Sequence, residues 1–236
     1  MFNFLFSAIS GDFFSGLAKE DNFLGSLLWN HSMTGFYLVI LGAIVAAYFI
    51  GNISPATLIG RAMGVDIKKE GSGNAGTTNV ARTLGVKAAV GTLAVDVCKG
   101  AVTVLLARII GGDFLAMMVV MPVVLGHIWP VVLKFKGGKG VATAFGALAM
   151  LHPVVGFGEL AVVIAGVLIS RRMSVGSFVG CVGLPIISYI FMPAFFLDGL
   201  CLGIIVLFKH RTNIVRVIKG EEPVISFGHA KKGEDK

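Results

Sequence analysis

The chain has 236 residues, of which 56% are hydrophobic and only 14% are charged, and its net charge is +7. A soluble domain usually carries about 25% charged residues, so this composition, with a mean hydropathy of +0.87, excludes an ordinary water-soluble fold. A nucleic-acid-binding face is excluded as well, because the charges lie between long apolar runs. The sequence therefore predicts an integral membrane protein.

The first 32 residues are rich in Phe and Leu, with breaks at Gly11 and Asp12. This segment lacks a basic beginning, so we do not expect a cleavable signal peptide. Two interpretations stay open: a helix lying on the outer face of the membrane, or an extension with little order. We assign residues 1–32 to an N-terminal extension, residues 33–222 to one integral membrane domain, and residues 223–236 to a cytoplasmic tail.

Seven apolar segments follow in chain order, and a helix needs about 20 such residues to span a membrane. They cover residues 34–60, 86–110, 114–133, 140–151, 154–169, 175–192 and 194–208. The fourth is short and follows several glycines, which favours a broken or re-entrant helix surrounded by protein or a polar cavity. The sequence thus predicts an all-α, polytopic membrane protein with about seven spans.

The basic residues give these spans an orientation. Every Lys and Arg except Lys19, Lys99 and Arg108 falls in the first, third and fifth loops or in the C-terminal tail. Cytoplasmic loops of membrane proteins carry the excess of Lys and Arg. We therefore expect the N-terminus to lie outside and the C-terminus to lie in the cytoplasm.

The first cytoplasmic loop contains a polar, glycine-rich segment, residues 71–79, followed by Arg82. Its glycines would let the backbone approach a ligand and present N–H groups as an anion nest. A helix beginning near Thr78 would point its positive end at the same place, and Arg82 offers a planar cation suited to phosphate. The alternative is a flexible loop, which would not need so many donors. The candidate binding residues are Ser72, Gly73, Asn74, Thr78, Asn79 and Arg82.

The second cytoplasmic segment, residues 135–143, combines lysines and glycines at the start of the fourth span. It is not a Walker A motif, because Gly140 follows Lys139 where that motif has Ser or Thr, and we predict no nucleotide hydrolysis. Glycine amides and a lysine at a helix start still form a suitable phosphate cradle. The alternative is a basic cluster that only fixes topology, which would leave the glycines unexplained. The candidates are Lys136, Gly137, Gly138, Lys139 and Gly140.

The third cytoplasmic segment directly follows the last span and contains His210, Asn213 and Glu222. On a helix, His210 and Asn213 share one face. A basic, amphipathic tail on anionic lipid is the alternative. Ser174 stands at the start of another helix on the same side, where it could cap the helix or bind an anion.

Asp96 and Lys99 lie three positions apart inside the second span. Charges within a span are costly, and they are usually paired or functional; a mutual ion pair is at least as good an interpretation as catalysis. His127 is expected to form a hydrogen bond between helices. The three cysteines lack metal-ligand spacing, so we expect buried packing residues and no metal site.

These segments together resemble the bacterial acyl-phosphate:glycerol-3-phosphate acyltransferase family from about residue 35 to residue 222. One departure lies at the end of the first span, where the family commonly has Gly-Ser and this chain reads Gly51-Asn52-Ile53-Ser54-Pro55. The motifs that carry the resemblance are residues 64–67 and 71–79, Asp96 with Lys99-Gly100, Gly126-His127 with Pro130, residues 135–143, and His210 with Asn213 and Arg216.

The resemblance implies an enzyme of the bacterial cytoplasmic (inner) membrane whose active site faces the cytoplasm. It would transfer a fatty acyl group from acyl phosphate to glycerol 3-phosphate, giving lysophosphatidic acid and phosphate, in the first step of phospholipid synthesis. No cofactor, metal or nucleic acid is implied. The implied phosphate-site residues are Ser72, Arg82, Lys139, His210 and Asn213, with Ser174 and Glu222 at further motif positions. Of these, we expect catalytic roles for Ser72, Lys139, His210 and Asn213.

Two other functions share some of these features. A membrane transporter of a phosphorylated anion would also have spans and cationic loops, but its polar residues would continue across the membrane, whereas here they stop on one side. A lipid-binding or scaffold protein without catalysis would not explain three separate phosphate-type segments.

Overall fold

The computed structural model describes residues 23–29 and 33–225, which form α-helices, two short 3-10 helices and connecting loops. Within these ranges there is no β-strand, so the predicted all-α class is confirmed. The α-helices are α1 (Phe23–Trp29), α2 (Met33–Gly51), α3 (Pro55–Ala62), α4 (Thr77–Thr83), α5 (Val86–Ile128), α6 (Val141–Leu151), α7 (Pro153–Ser170), α8 (Met173–Phe191), α9 (Phe196–Lys209) and α10 (Arg211–Ile218).

Several of these helices are built to cross a membrane. In the described part of the chain, four helical segments are long and apolar enough to do so: Met33–Ala62, Val86–Leu133, Pro153–Ser170 and Met173–Phe191. A fifth is formed if Pro193–Lys209 and Arg211–Ile218, which are bent by 61°, count as one span. Every predicted apolar segment contains a helix, but the number of crossings, seven, stays a prediction.

Helix α5 folds back on itself at Gly111 and Gly112. Its 43 residues would measure about 65 Å as a straight helix, about twice the hydrocarbon core of a bilayer. Gly111 and Gly112 have non-helical dihedral angles, and Lys99 Nζ lies 2.8 Å from His127 Nδ1 although the two residues are 28 positions apart. The halves 86–110 and 113–128 therefore pack against each other in opposite directions, which agrees with the predicted break between these two segments.

A buried polar cluster joins α2 to both halves of α5. Lys99 Nζ lies 2.7 Å from Asp96 Oδ1, and His127 Nδ1 lies 3.2 Å from the same oxygen. Lys99 also donates to the carbonyl oxygens of Ile53 at 2.6 Å and Gly51 at 3.2 Å. The predicted ion pair and the predicted interhelical role of His127 are both present, and all three side chains of the cluster are less than 10% exposed.

The predicted first span, residues 34–60, is interrupted. Helix α2 ends at Gly51, and α3 begins at Pro55, whose ring nitrogen has no N–H to continue a helical ladder. Ser54 caps α3 by accepting from the Thr57 backbone N–H at 3.4 Å. The interruption leaves the Gly51 and Ile53 carbonyls without helical partners, and these are the carbonyls that accept from Lys99.

The predicted third span, residues 114–133, also ends early. Helix α5 stops at Ile128, and a separate 3-10 helix covers Val131–Leu133. Pro130 lies between them and explains the break, because the residue before a proline is disfavoured in the α conformation.

Helices approach closely where glycines face each other. A Cβ on Gly51 would lie 2.2 Å from the Val123 carbonyl oxygen, and one on Gly126 would lie 2.0 Å from the Tyr48 carbonyl oxygen. On the other side of α5, a Cβ on Gly100 would lie 2.2 Å from the Thr143 carbonyl oxygen. Small residues at such contacts are typical of helix packing in membranes, and here they hold α2, α5 and α6 together.

The predicted N-terminal extension is partly described. Residues 1–22 and 30–32 lie outside the described ranges, but α1 contacts α2 and α5, and Leu24 is 1% exposed. At least this part of the extension packs onto the helical core. The cysteine prediction was wrong for Cys98 and Cys201, which are exposed, because they lie on outward apolar helix faces that would contact lipid.

We predict that the polar cluster is essential for stability. Lys99→Met would leave Asp96 buried without its cation, and removing one partner of a buried pair costs about 3–5 kcal/mol. The thermal unfolding midpoint of the detergent-purified variant should therefore fall clearly. Lys87→Met is the matched control, since Lys87 is exposed near the start of the same helix, and its midpoint should stay close to that of the unmodified protein. Equal midpoints for the two variants would contradict this role.

Candidate active site

The first polar segment folds around the buried side chain of Asn79. Its Oδ1 accepts from the Ser72 backbone N–H at 2.8 Å and from the Ser72 hydroxyl at 3.2 Å. Its Nδ2 donates to the carbonyls of Ile67 and Glu70, both at 3.0 Å. Gly71 has a φ angle of 57°, a conformation that favours glycine. Asn79 therefore holds the loop in shape, and its amide group is fully engaged in doing so.

This network changes the interpretation of the loop glycines. The backbone N–H of Ser72 donates to Asn79 Oδ1, that of Gly73 to the Glu70 carbonyl, and that of Gly76 to the Asn74 carbonyl. They cannot also form the anion nest that the sequence suggested, so that expectation was wrong for these three groups. The loop instead presents the exposed side chains of Ser72 and Arg82. The other candidates from this segment with half-buried side chains are Asn74 and Thr78.

The glycines of the second segment are explained by close packing. A Cβ on Gly137 would lie 2.1 Å from the His127 carbonyl oxygen, and one on Gly138 would lie 2.1 Å from His127 Nε2. The Gly138 N–H donates to the His127 carbonyl at 3.1 Å, and a Cβ there would also lie 2.9 Å from the Ala75 carbonyl oxygen. Gly140 has a φ angle of 89° directly before α6. These glycines let the second segment lie directly on His127 and on the first segment.

Lys139 connects the second segment to the third. Its Nζ donates to Asn213 Oδ1, and Asn213 Nδ2 donates to Glu222 Oε1 at 2.7 Å. Arg216 Nε donates to the other carboxylate oxygen of Glu222 at 2.8 Å. The fold thus brings together residues that are far apart in sequence, while Lys136 remains on the exposed surface.

The surroundings of Lys139 carry an excess of positive charge. Burial lowers the pKa of Lys139 from its ordinary 10.5 to about 8. Glu222 opposes this shift, whereas the nearby cations Arg216, Arg82 and Lys209 add to it. A partly buried ammonium among other cations is stabilised by an anion, and phosphate oxygens are strong acceptors for such groups. The arrangement therefore favours binding of a phosphate.

His210 lies buried at the bend between α9 and α10. Its side chain is 2% exposed, and its Nδ1 lies 2.8 Å from the Val206 carbonyl oxygen. Because a carbonyl can only accept, Nδ1 carries the proton, and in the neutral ring Nε2 is then the nitrogen with a free lone pair. The Phe178 ring meets the imidazole edge-to-face at 5.8 Å between centroids. The orientation of His210 is therefore fixed from two sides.

Glu222 anchors the C-terminal part of the described chain to this site. Its backbone carbonyl accepts from Arg172 Nε at 3.2 Å. Burial opposes ionisation, but hydrogen bonds from Arg216 and Asn213, with a contribution from Ser174, hold the pKa of Glu222 below its usual value. Ser174 is 3% exposed and does not cap α8, and its buried hydroxyl makes no hydrogen bond among the described residues.

Sequence reasoning left two residues of this site out of its candidate set. Lys209 and Arg216 both lie close enough to Lys139 to lower its pKa. Lys209 also lies 5.6 Å from the centre of the Trp129 ring and donates to the Ile128 carbonyl at 3.2 Å. Lys209 had been counted only among the basic residues of the tail. Arg216 had been named in the motif with His210 and Asn213, with which it shares a helix face, but not as a site residue.

An apolar pocket begins beside these cations. It lies between α6, α7, α8 and α9, is open on one side and has a cavity volume of about 60 Å³. Val141, at one end, directly follows Gly140, and Val206 is the residue whose carbonyl contacts His210. Deeper in the pocket the wall is formed mainly by Phe145, Leu148, Leu160, Leu184 and Leu202. A molecule with a phosphate head and a hydrocarbon tail would satisfy both parts of the site.

Comparisons with known proteins agree with this geometry. A family model described as glycerol-3-phosphate acyltransferase matches residues 41–220. A glycerol-3-phosphate acyltransferase of Alkaliphilus metalliredigens (strain QYMF) is 38% identical over 189 residues, covering 80% of this chain and 97% of the relative. The enzyme of the same name from Clostridioides difficile (strain 630) is 44% identical over 194 residues, covering 79% and 94% respectively.

Solved structures show the same fold. The crystal structure of PlsY (YgiH), an integral membrane glycerol 3-phosphate acyltransferase, in its glycerol 3-phosphate form has a TM-score of 0.76 at 31% identity. Its lysophosphatidic acid form has a TM-score of 0.73 at 32% identity. Each match covers 80% of this chain and 96% of the other. The chain therefore belongs to the glycerol-3-phosphate acyltransferase family, as its motifs suggested.

Proposed function

We propose that this protein transfers a fatty acyl group from acyl phosphate to the first hydroxyl of glycerol 3-phosphate. The products are lysophosphatidic acid (1-acyl-glycerol 3-phosphate) and inorganic phosphate, in the first step of phospholipid synthesis. The observation that carries the proposal is the cationic group around Lys139, which lies directly beside the apolar pocket. The cationic group can hold phosphates, and the apolar pocket can hold an acyl chain.

The choice of donor follows from chemistry. An acyl phosphate is a mixed anhydride, so its carbonyl is already activated and phosphate is a stable leaving group. Such a donor needs neither an enzyme nucleophile nor a general acid. It needs cations that hold two phosphorylated substrates and align the attacking hydroxyl, and Lys139, Arg82, Arg216 and Lys209 provide those charges.

The reaction then proceeds in one step. The glycerol hydroxyl oxygen bonds to the acyl carbon while the bond from that carbon to the phosphate oxygen breaks, and the phosphate leaves with the bonding electrons. Lys139 and Arg82 offset its charge, and Ser72 and Asn213 orient the phosphates by hydrogen bonds. The hydroxyl proton goes to His210 Nε2 or to a substrate phosphate oxygen, since both can accept it.

The hydrogen bonds of the other candidate residues separate those that position the loops from those that we propose bind substrate. Asn79, Gly138 and Glu222 donate or accept within the protein, so we assign them to positioning the loops. We assign Gly73 to the same positioning role, because its N–H donates to the Glu70 carbonyl. Binding roles for Asn74, Thr78, Lys136, Gly137, Gly140 and Ser174 remain part of the proposal.

We further propose seven spans in the bacterial cytoplasmic membrane, with the active site facing the cytoplasm. The fold-back of α5 supports this count because it supplies two segments of opposite direction. The segments that form the site also contain most of the Lys and Arg residues, which favours a cytoplasmic location.

Reporter fusions at the two ends of the chain test this topology. A reporter fused after Glu222 should be active in the cytoplasm, and one fused before Phe2 should be active outside. Placing both ends on the same side would contradict an odd number of spans.

An assay of phosphate release tests the proposed reaction. Purified protein in detergent should release inorganic phosphate from acyl phosphate only when glycerol 3-phosphate is present, without ATP or added divalent metal. Mass spectrometry during turnover should find no covalently acylated protein. Transport of glycerol 3-phosphate into vesicles without phosphate release would instead support a transporter, and an acylated protein would exclude direct attack.

The pH dependence of kcat/KM tests the role of Lys139. Its ammonium form is needed to hold phosphate, and with a pKa of about 8 this form is present below that pH and lost above it. Between about pH 8 and about pH 10, kcat/KM should fall by up to about tenfold per pH unit. Lys139→Arg keeps its charge throughout this range, so its profile should be flat there. An equal fall in both proteins would assign the titration to another group.

A further inference from the structure

The apolar pocket contains one carboxyl group, that of Glu159 on α7. Helix α8 is shaped around it: a Cβ on Gly180 would lie 2.5 Å from Glu159 Oε1, and one on Gly183 would lie 3.4 Å from Oε2. Gly180 on the facing helix thus leaves the space that this side chain occupies, and Gly183 lies in ordinary contact distance of it. The mechanism proposed above gives Glu159 no role.

Glu159 lacks a polar partner in the part of the chain that the structure describes. Its Oε2 is buried and makes no hydrogen bond there, and none of the ion pairs among these residues includes Glu159. An ionisable side chain at membrane depth is costly and is usually functional. The residue as a whole is only partly buried, so the surrounding helices leave part of it open to the molecules that fill the pocket.

The position of Glu159 is deep relative to the phosphate-binding groups. The pocket begins at Val141 and Val206, next to Lys139 and His210. Along α7, Glu159 lies roughly 16 Å from the Ser170 end, at 1.5 Å per residue, and that end leads into the loop before Ser174. An acyl chain whose head lies at the cations would therefore meet Glu159 with its distal part.

We propose that Glu159 determines the length of acyl chain that the enzyme accepts, an inference that rests on the proposed acyl transfer. A shorter chain ends before the carboxyl group and leaves it accessible to water. A longer chain covers it with methylene groups, which offer no hydrogen bond, and a buried polar group without a partner is unfavourable. Glu159 thus selects against chains that reach it.

The test compares two variants of nearly equal shape in the detergent-purified, full-length protein. Glu159→Met replaces the carboxyl group by an apolar one, whereas Glu159→Gln keeps a polar end. For each protein, kcat/KM is measured with a series of saturated acyl phosphates of increasing chain length and saturating glycerol 3-phosphate. The thermal unfolding midpoint of each variant is measured in the same detergent.

Glu159→Met should raise the ratio of kcat/KM for the longest chains to that for the shortest by about tenfold, as expected for removing a buried unpaired polar group. Glu159→Gln should keep the unmodified profile. An unchanged ratio in Glu159→Met, or an equal rise in both variants, would overturn the inference. If Glu159→Met does not fold, Glu159→Leu replaces it with the same expected result.

The failure of this inference can be distinguished from failure of the proposed function. If the unmodified protein transfers no acyl group from any acyl phosphate in the series, the proposed function fails and the inference fails with it. If transfer occurs but its chain-length profile does not respond to Glu159→Met, only the role of Glu159 is wrong.

Discussion

The structure depends on one buried polar cluster, formed by Asp96, Lys99 and His127. Each of these side chains would be unfavourable alone at this depth, but Asp96 lies within ion-pair distance of Lys99 and His127, and Lys99 donates to the Gly51 and Ile53 carbonyls. The cluster requires α2 to end where it does and α5 to fold back at its two glycines. It therefore fixes the relative positions of three helical segments that apolar packing against lipid would not fix, since lipid tails and apolar side chains are equally apolar.

The same cluster supports the candidate active site. His127 contacts Lys99 on one side, and its ring and backbone contact Gly137 and Gly138 on the other. These glycines directly precede Lys139, whose ammonium group is the centre of the cationic site. A change in the helix interior would therefore move Lys139, the residue that we propose binds phosphate, although no atom of the interior cluster needs to touch a substrate.

Much of this could be predicted from the sequence, because hydropathy and the distribution of basic residues report helices and loops directly. The three polar segments and the pairing of Asp96 with Lys99 were recognised from local patterns. The roles of Asn79 and Gly138 were not, because their partners are adjacent only in the folded chain. For the same reason, the glycines of residues 71–79 suggested an anion nest, whereas the N–H groups of Gly73 and Gly76 donate within the protein. The glycines of residues 135–143 suggested a phosphate cradle, whereas Gly137 and Gly138 permit close packing. No role for Glu159 could be predicted from the sequence, because the apolar residues around it come from four different helices.

The fold-back of α5 has a consequence for the order in which the chain assembles during synthesis. The carbonyls of Gly51 and Ile53 emerge from the ribosome first, and Asp96 and Lys99 follow on a single helical turn, where they can pair at once. His127 arrives next and closes the hairpin, and only then is the loop before Lys139 made. Asp96 and Lys99 thus meet partners that are already present when they enter the membrane, so neither of them faces lipid as an isolated charge.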